Sequence, residues 1–154
     1  VRHRWQPVVT ALRLDGLERA SLTSECRRAL ERADIILIGP SNPWLSIDPI
    51  LALPGVRTLL ATLSIPRVAI SPIVGGKAIK GPAAKLMAEL GLSVTATAVA
   101  SHYGEFINGF VLDQVDYGQT VPQKQVLTCE TVMNSEQDKV QLAETVLRWI
   151  KGWM

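Results

Sequence analysis

The sequence predicts an α/β domain built on a doubly wound, mostly parallel sheet with helices on both faces. Short runs such as 35–38, and 68–70 within the strand expected at 67–70, are apolar at consecutive positions, as in strands that are buried on both faces. Segments with helical periodicity separate these runs, and parallel strands require such crossovers. The chain has 154 residues, of which 47% are hydrophobic and 19% charged, so it can bury the core of one domain.

The bulk composition excludes several classes of protein. The formal net charge is +2, and the basic residues form no stripe of the kind that binds nucleic acid. No run approaches the roughly 20 apolar residues that cross a bilayer, so we expect no membrane segment and no membrane partner. Two cysteines, Cys26 and Cys129, lack metal-type partners nearby in the sequence. We expect both to be buried thiols in a reducing, cytoplasmic compartment.

The first half of the chain is expected to contain three strands. The loose alternation of residues 8–14 predicts the first strand, and Ser24 is expected to cap a helix after it. The run 35–38 follows and, because it is apolar on both faces, is expected in the middle of the sheet. An amphipathic stretch up to about Leu63 then leads into a strand at 67–70.

The second half continues the alternation of helices and strands. Pro82 and Gly91 are expected to bound a helix, because proline favours the first position and glycine the position past the end. A further helix is expected around 99–106, a strand at 109–113 and another at 126–128. This order is typical of a three-layer, Rossmann-like domain.

The last helix is expected after a cap at Asn134 or Ser135. Its apolar side is expected to consist of Val140, Ala143, Val146, Leu147 and Ile150, with Trp149 and Trp153 nearby. That side belongs either to the core or to a subunit interface, which leaves a homodimer open. Since the chain starts at Val1 within what reads as an extended segment, residues 1–154 are interpreted as the C-terminal part of a single domain whose N-terminal half is absent.

Two loops at the ends of predicted strands are the candidate ligand site. They are residues 38–49, which contain Ile-Gly-Pro-Ser-Asn-Pro, and residues 71–82, which contain Gly-Gly-Lys and Lys-Gly-Pro. In an open parallel sheet, ligands bind beyond the carboxyl ends of the strands. If the two strands are neighbours, both loops face one cleft.

Each loop carries groups that bind anions. Glycine lets backbone N–H groups approach a ligand closely, and short polar side chains bind phosphate or sugar oxygens. Lysines add positive charge, and the predicted helix start after the second loop favours a phosphate. The predicted binding residues are Gly39, Ser41, Asn42, Ser46, Ser71, Gly75, Gly76, Lys77, Lys80 and Gly81. Together they suit a diphosphate.

Tight turns are the alternative explanation for either loop taken singly, since Gly and Pro commonly follow strands. The chain has no G-x-G-x-x-G motif, and Ala78 stands where a P-loop needs Ser or Thr. Two other residues have alternative roles. For His102 they are a catalytic base, a ribose contact and an ordinary surface histidine. For Trp44 they are stacking on a ligand ring and packing against the next helix. Asp48 and Asp113 are weak metal candidates.

At these loops the sequence resembles the CofD-like family, the 2-phospho-L-lactate transferases. The resemblance rests on residues 39–43 with 46–47, on 54–57 and on 71–82, and it extends through 109–113. It therefore covers nearly the whole chain, and the two loop motifs are long and specific.

The resemblance implies a reaction, a cofactor and two substrates. A guanosine diphosphate ester of lactate or of enolpyruvate donates its phosphoester group to a deazaflavin riboside, and GMP leaves, in the biosynthesis of coenzyme F-420. Mg²⁺ assists, Asn42 and Lys80 are the predicted catalytic residues, and the diphosphate lies between the two loops. The resemblance also implies that the acceptor site lies in the absent N-terminal half, so the isolated chain is expected to be inactive.

A non-catalytic regulator is the alternative function. Related gluconeogenesis-factor-like regulators bind a uridine diphosphate sugar and share the sheet and a Gly-Pro-rich first loop. The second loop, with Gly75, Gly76 and Lys77, is similar to the transferase branch instead.

Overall fold

The structure is a computed structural model that describes residues 5–122 and 124–153. Its strands are β1 (Ile36–Ile38), β2 (Arg67–Ile70), β3 (Ile73–Val74), β4 (Lys77–Ala78), β5 (Gly109–Asp113) and β6 (Gln125–Cys129). The main sheet is parallel throughout and has the order β1-β2-β5-β6, whereas β3 and β4 form a separate antiparallel hairpin. The predicted α/β class with a mostly parallel sheet is confirmed.

The described residues also contain six α-helices and several short helical turns. The helices are α1 (Ser24–Glu31), α2 (Asp48–Leu51), α3 (Val56–Thr62), α4 (Ala83–Glu89), α5 (Ala96–Tyr103) and α6 (Glu136–Lys151). A π-helical turn spans Pro43–Ile47, and 3₁₀ turns span Leu17–Arg19, Gly104–Phe106 and Gln114–Asp116. Thr23, rather than Ser24, caps α1 through a bond from the Cys26 N–H, and Ser135 caps α6 in a capping box with Asp138.

The core lies on both faces of the sheet because neighbouring residues of a strand point to opposite sides. On one face, Ala69, Phe110 and Leu112 pack with buried residues of α4 and α5. On the other face, Val68 and Val111 pack with α6. All five residues of β5 are buried, including the charged Asp113 at its end, as expected for a central strand that is covered on both faces.

Two strand predictions differ from the structure. Residues 8–14 form no strand: the Val9 N–H donates to Glu89 Oε2, and Val8 is 72% exposed. Alternation of side chains alone does not make a strand, since a strand also needs a partner for its backbone groups. The run at 35–38 forms β1 at the edge of the described sheet, not in its middle, and Leu37 is 43% exposed.

The buried side of α6 matches the predicted one only in part. Val146 and Ile150 are buried as predicted and pack on the sheet with Leu142. The predicted Ala143 is exposed, and Val140 and Leu147 are 57% and 41% exposed. The helix carries apolar residues on more than one side, so periodicity alone does not identify the side that faces the sheet.

Cysteine burial and membrane crossing were also predicted. Both cysteines are free thiols, but Cys26 is exposed and only Cys129 is partly buried, so the prediction that both are buried is wrong for Cys26. Within the described part of the chain, no single helix has the length and apolar composition needed to cross a membrane. The segments Pro43–Leu51 and Val56–Thr62 meet that requirement only together, and they are bent by 82°.

The packing of β5 against α6 predicts a large difference between two Gly→Ala variants. A Cβ at Gly109 would lie 2.8 Å from Val68 Cγ2 and 3.1 Å from Trp153 Cζ2, whereas at Gly39 it would meet nothing within 4 Å. We expect Gly109→Ala to lower the free energy of unfolding by about 1–3 kcal/mol, and Gly39→Ala to change it by less than about 0.5 kcal/mol. Denaturant unfolding measures both. Equal stabilities would contradict this packing.

Candidate functional site

A cleft of about 140 Å³ lies at the carboxyl edge of the main sheet. Its lining comes from the segments that follow β1, β2 and β6: Pro40; Ser71, Pro72, Val74, Ile79 and Lys80; and Thr131, Val132 and Met133. The structure thus brings the two predicted loops to one cleft, because β1 and β2 are hydrogen-bonded neighbours.

In the first loop, Asn42 organises the local backbone. Its Oδ1 accepts hydrogen bonds from the N–H groups of Trp44 (3.0 Å) and Leu45 (3.1 Å), which caps the π-helical turn. Its Nδ2 is buried and has no hydrogen-bond partner among the described residues. Ser41 and Ser46 are exposed beside it. Of this loop, only Pro40 lines the cleft, so contact of Asn42 with a ligand stays a prediction.

The two glycines of the second loop form the tip of the β3–β4 hairpin. Gly75 and Gly76 have φ of 56° and 73°, and Val74 pairs with Lys77 across this two-residue turn. Positive φ at both central residues is the geometry of a type I′ turn, which glycine adopts without strain. The Gly75 N–H donates to Asp116 Oδ2 at 3.0 Å. It is therefore engaged by a carboxylate and does not face the cleft as a free donor.

The other predicted binding residues of the second loop are two turn residues and two exposed lysines. Ser71 is buried, and its Oγ donates to the Ile73 carbonyl (2.8 Å) and accepts from the Ile73 N–H (3.1 Å). Gly81 has a φ of 73° just before α4. Lys80 lines the cleft, whereas Lys77 is exposed outside its lining. Within residues 5–122 and 124–153, neither lysine has a carboxylate within 4.0 Å, so both charges are available to an anion.

Neither aspartate that was a metal candidate belongs to a preformed group of metal ligands among the described residues. Asp113 is 4% exposed and accepts three hydrogen bonds: Oδ2 from Thr131 N–H (2.8 Å) and Oγ1 (2.9 Å), and Oδ1 from Val115 N–H (3.1 Å). Asp48 accepts from His102 instead. No group of three or more His, Cys, Asp or Glu in the described residues has a metal-holding arrangement. Magnesium therefore has no built ligand set in this part of the chain.

Three of the weaker candidates form one cluster outside the cleft lining. His102 Nε2 lies 2.9 and 3.0 Å from the two carboxylate oxygens of Asp48, and Arg57 lies 3.9 Å from one of them. The Trp44 ring is buried with its centroid 4.7 Å from that of His102. Burial, and then the charge of Asp48, raises the pKa of Tyr103 beside this cluster. These residues join α2 to α5, which matches the packing alternative for Trp44.

Thr131, Val132 and Met133 line the cleft but were not identified from the sequence. The segment contains no glycine, lysine or turn motif that indicates a ligand. One signal was available: it follows a predicted strand at 126–128, and ligands bind beyond the carboxyl ends of such strands.

Comparison with known proteins places the chain in a family. Residues 2–151 match the family model described as 2-phospho-L-lactate transferase CofD. The chain belongs to this family. It is 39% identical over 147 residues to the 2-phospho-L-lactate transferase of Methanosarcina barkeri (strain Fusaro / DSM 804), covering 92% of this chain and 47% of that protein.

Other members carry two different names. The 2-phospho-L-lactate transferase of Methanocaldococcus jannaschii is 37% identical over 142 residues, covering 88% of this chain and 45% of that protein. The phosphoenolpyruvate transferase of Mycobacterium leprae (strain TN) is 43% identical over 113 residues, covering 73% of this chain and 34% of that protein. The chain thus spans about half the length or less of these curated relatives.

The capping bonds of Asn42 predict that its two polar atoms have separable effects. Asn42→Ala removes the oxygen that caps the π-helical turn, so we expect the free energy of unfolding to fall by about 1 kcal/mol. Asn42→Ser keeps a capping oxygen and removes only the unpartnered amide, so it should retain stability within about 0.5 kcal/mol. Denaturant unfolding compares them. Equal losses in both variants would show that the cap is not what Asn42 contributes.

Proposed function

We propose that this chain is the carboxyl-terminal half of a transferase that moves a phospho-lactyl or phosphoenolpyruvyl group. The donor is a guanosine diphosphate ester of lactate or enolpyruvate, the acceptor is a deazaflavin riboside, and GMP is released. The proposal rests on membership of the CofD family and on one structural observation: the cleft at the carboxyl edge of the sheet, with the lysine of the second loop in its lining.

The shape and charge of the cleft favour a diphosphate. Lys80 contributes a cation that no described carboxylate neutralises, and Lys77 lies on the same hairpin. The apolar side chains of Ile79 and Val132 also line the cleft. A cation placed beside a transferring phosphoryl group stabilises the charge that develops in the transition state.

The proposed reaction needs no covalent intermediate on the protein. The riboside hydroxyl oxygen attacks the phosphorus that carries the lactyl or enolpyruvyl group, and a new P–O bond forms. The bond from that phosphorus to the oxygen bridging to GMP breaks, GMP keeps the electron pair, and the hydroxyl proton passes to solvent. Cys129, which lies near this edge of the sheet, is not suited to act as a nucleophile. Burial, and then the charges of Asp113 and Glu130, raises the pKa of its thiol.

The remaining parts of the proposal concern the rest of the enzyme. The deazaflavin acceptor site belongs to the other half of the protein, so the isolated chain is expected to lack activity. Magnesium stays a prediction for the complete enzyme, since the described residues contain no preformed group of three or more ligands for it. A cytoplasmic location and a homodimer also stay predictions.

A pair of lysine variants tests the diphosphate site. In the full-length protein, Lys80→Ala removes a cation that lines the cleft, whereas Lys77→Ala removes one from the same hairpin outside the lining. A hydrogen bond to a charged group is worth about 1.5–3 kcal/mol, so Lys80→Ala should lower kcat/KM roughly 10- to 150-fold. Lys77→Ala should lower it less than about fivefold. Normal kinetics in Lys80→Ala would overturn the proposed site.

Nucleotide preference separates the transferase from the regulator. We expect guanosine diphosphate to bind the full-length protein more tightly than a uridine diphosphate sugar, because the proposed donor carries guanosine. Isothermal titration calorimetry with both ligands, at one salt concentration, measures the difference. Tight binding of the uridine diphosphate sugar without a guanine preference would favour the non-catalytic regulator.

A further inference from the structure

Two buried carboxylates lie between the walls of the cleft. The main sheet places β5 between β2 and β6, so the end of β5 and the turn after it lie between the segments that line the cleft. Asp113 ends β5, and Asp116 ends the 3₁₀ turn that follows. Each is only 4% exposed, which is unusual for a charged side chain without a cation partner.

Asp113 holds the wall formed by residues 131–133. Its Oδ2 accepts hydrogen bonds from both the N–H and the hydroxyl of Thr131, at 2.8 and 2.9 Å. Thr131 is itself 5% exposed and lies where the chain leaves β6. Two bonds to one residue fix both the position and the rotamer of Thr131. The next two residues, Val132 and Met133, therefore leave from a fixed point.

Asp116 holds the opposite wall, formed by residues 71–80. Its Oδ2 accepts from the Gly75 N–H at 3.0 Å, at the tip of the β3–β4 hairpin that leads to Lys80. Its Oδ1 accepts from Gln119 Nε2 at 2.7 Å. Gln119 Oε1 in turn accepts from the Thr97 N–H at 3.2 Å, which ties the hairpin to the first turn of α5.

The chemistry of these contacts makes them strong. In the described residues no Lys, Arg or His forms an ion pair with either carboxylate, so N–H and O–H donors balance the two buried charges. Hydrogen bonds to an ionised acceptor are about twice as strong as neutral ones. Pulling either wall away would leave a buried charge with fewer donors, which is costly.

We propose that Asp113 and Asp116 are positioning residues that set the distance between the two walls of the cleft, and thereby the affinity for the diphosphate of the donor. This inference rests on the proposed function for the identity of the ligand. The two side chains act through Thr131 and Gly75, and neither is a metal ligand.

Hydrogen–deuterium exchange of the ligand-free, full-length protein tests whether the two aspartates hold the walls of the cleft in place. In Asp113→Ala, no acceptor faces the two donors of Thr131, so exchange should rise in residues 130–134 and stay normal in 73–78. In Asp116→Ala, no acceptor faces the Gly75 N–H, so exchange should rise in residues 73–78 and stay normal in 130–134. Unchanged exchange at both walls would overturn the proposal.

Steady-state kinetics of the same variants tests the effect on the ligand. A displaced wall weakens ground-state and transition-state binding alike, so KM for the guanosine diphosphate ester should rise roughly 10-fold while kcat stays within about threefold. Loosened walls with a normal KM would overturn the positioning role. A lower kcat that excess magnesium restores would show instead that the carboxylates bind the metal.

Milder variants keep the test valid if the aspartate variants unfold. Thr131→Val removes only the hydroxyl that donates to Asp113, whereas Thr131→Ser keeps a hydroxyl at this position. We expect the valine variant to show the raised exchange and KM, and the serine variant to recover both. Glu89→Ala is the matched control, since Glu89 accepts the Val9 N–H on another part of the molecule. It should raise exchange near residues 7–10 and leave KM unchanged.

The outcomes separate this inference from the proposed function. A wild-type protein that neither binds guanosine diphosphate nor uses its ester would overturn the proposed function. The exchange patterns of the ligand-free variants would still decide whether the two aspartates hold the walls.

Discussion

The parallel pairing of β5 with β2 on one side and β6 on the other is the constraint on which the rest of the molecule depends. Its register aligns Gly109 with Val68 and Gln125, and Asp113 with Cys129. Because parallel strands end at the same edge, the segments that leave β2, β5 and β6 must meet there. The hydrogen-bonded pairing of the strand backbones therefore determines where the cleft lies.

Packing protects this ladder from both sides. Phe110 and Leu112 face α4 and α5, while Val111 faces α6, so a shift of β5 by one residue would place every one of these side chains on the wrong face. Gly109 permits the close approach of the two tryptophans at the end of α6. The same fully buried strand ends in Asp113, which accepts a hydrogen bond from the Thr131 N–H in the lining of the cleft.

The charges around the cleft are arranged in two layers. Buried aspartates point to backbone and hydroxyl donors, and exposed lysines point to solvent. Negative charge is thus neutralised inside the protein, while positive charge remains at the surface for an anion. This arrangement fits the proposed anionic donor. The acidic residues of the motif Leu-Asp-Gln-Val-Asp accept hydrogen bonds from Gly75, Val115, Gln119 and Thr131.

The sequence by itself determined the fold class, the strands at 67–70 and 109–113, and the two loops of the cleft, because apolar runs and Gly-Pro-Lys motifs are local signals. Only the tertiary structure decided what each polar group contacts. Gly75 and Asp116 are 41 positions apart, and Asp113 and Thr131 are 18 apart, so no local pattern could pair them. The edge position of β1 and the buried side of α6 were decided in the same way. Which face is covered depends on neighbours that are distant in the chain.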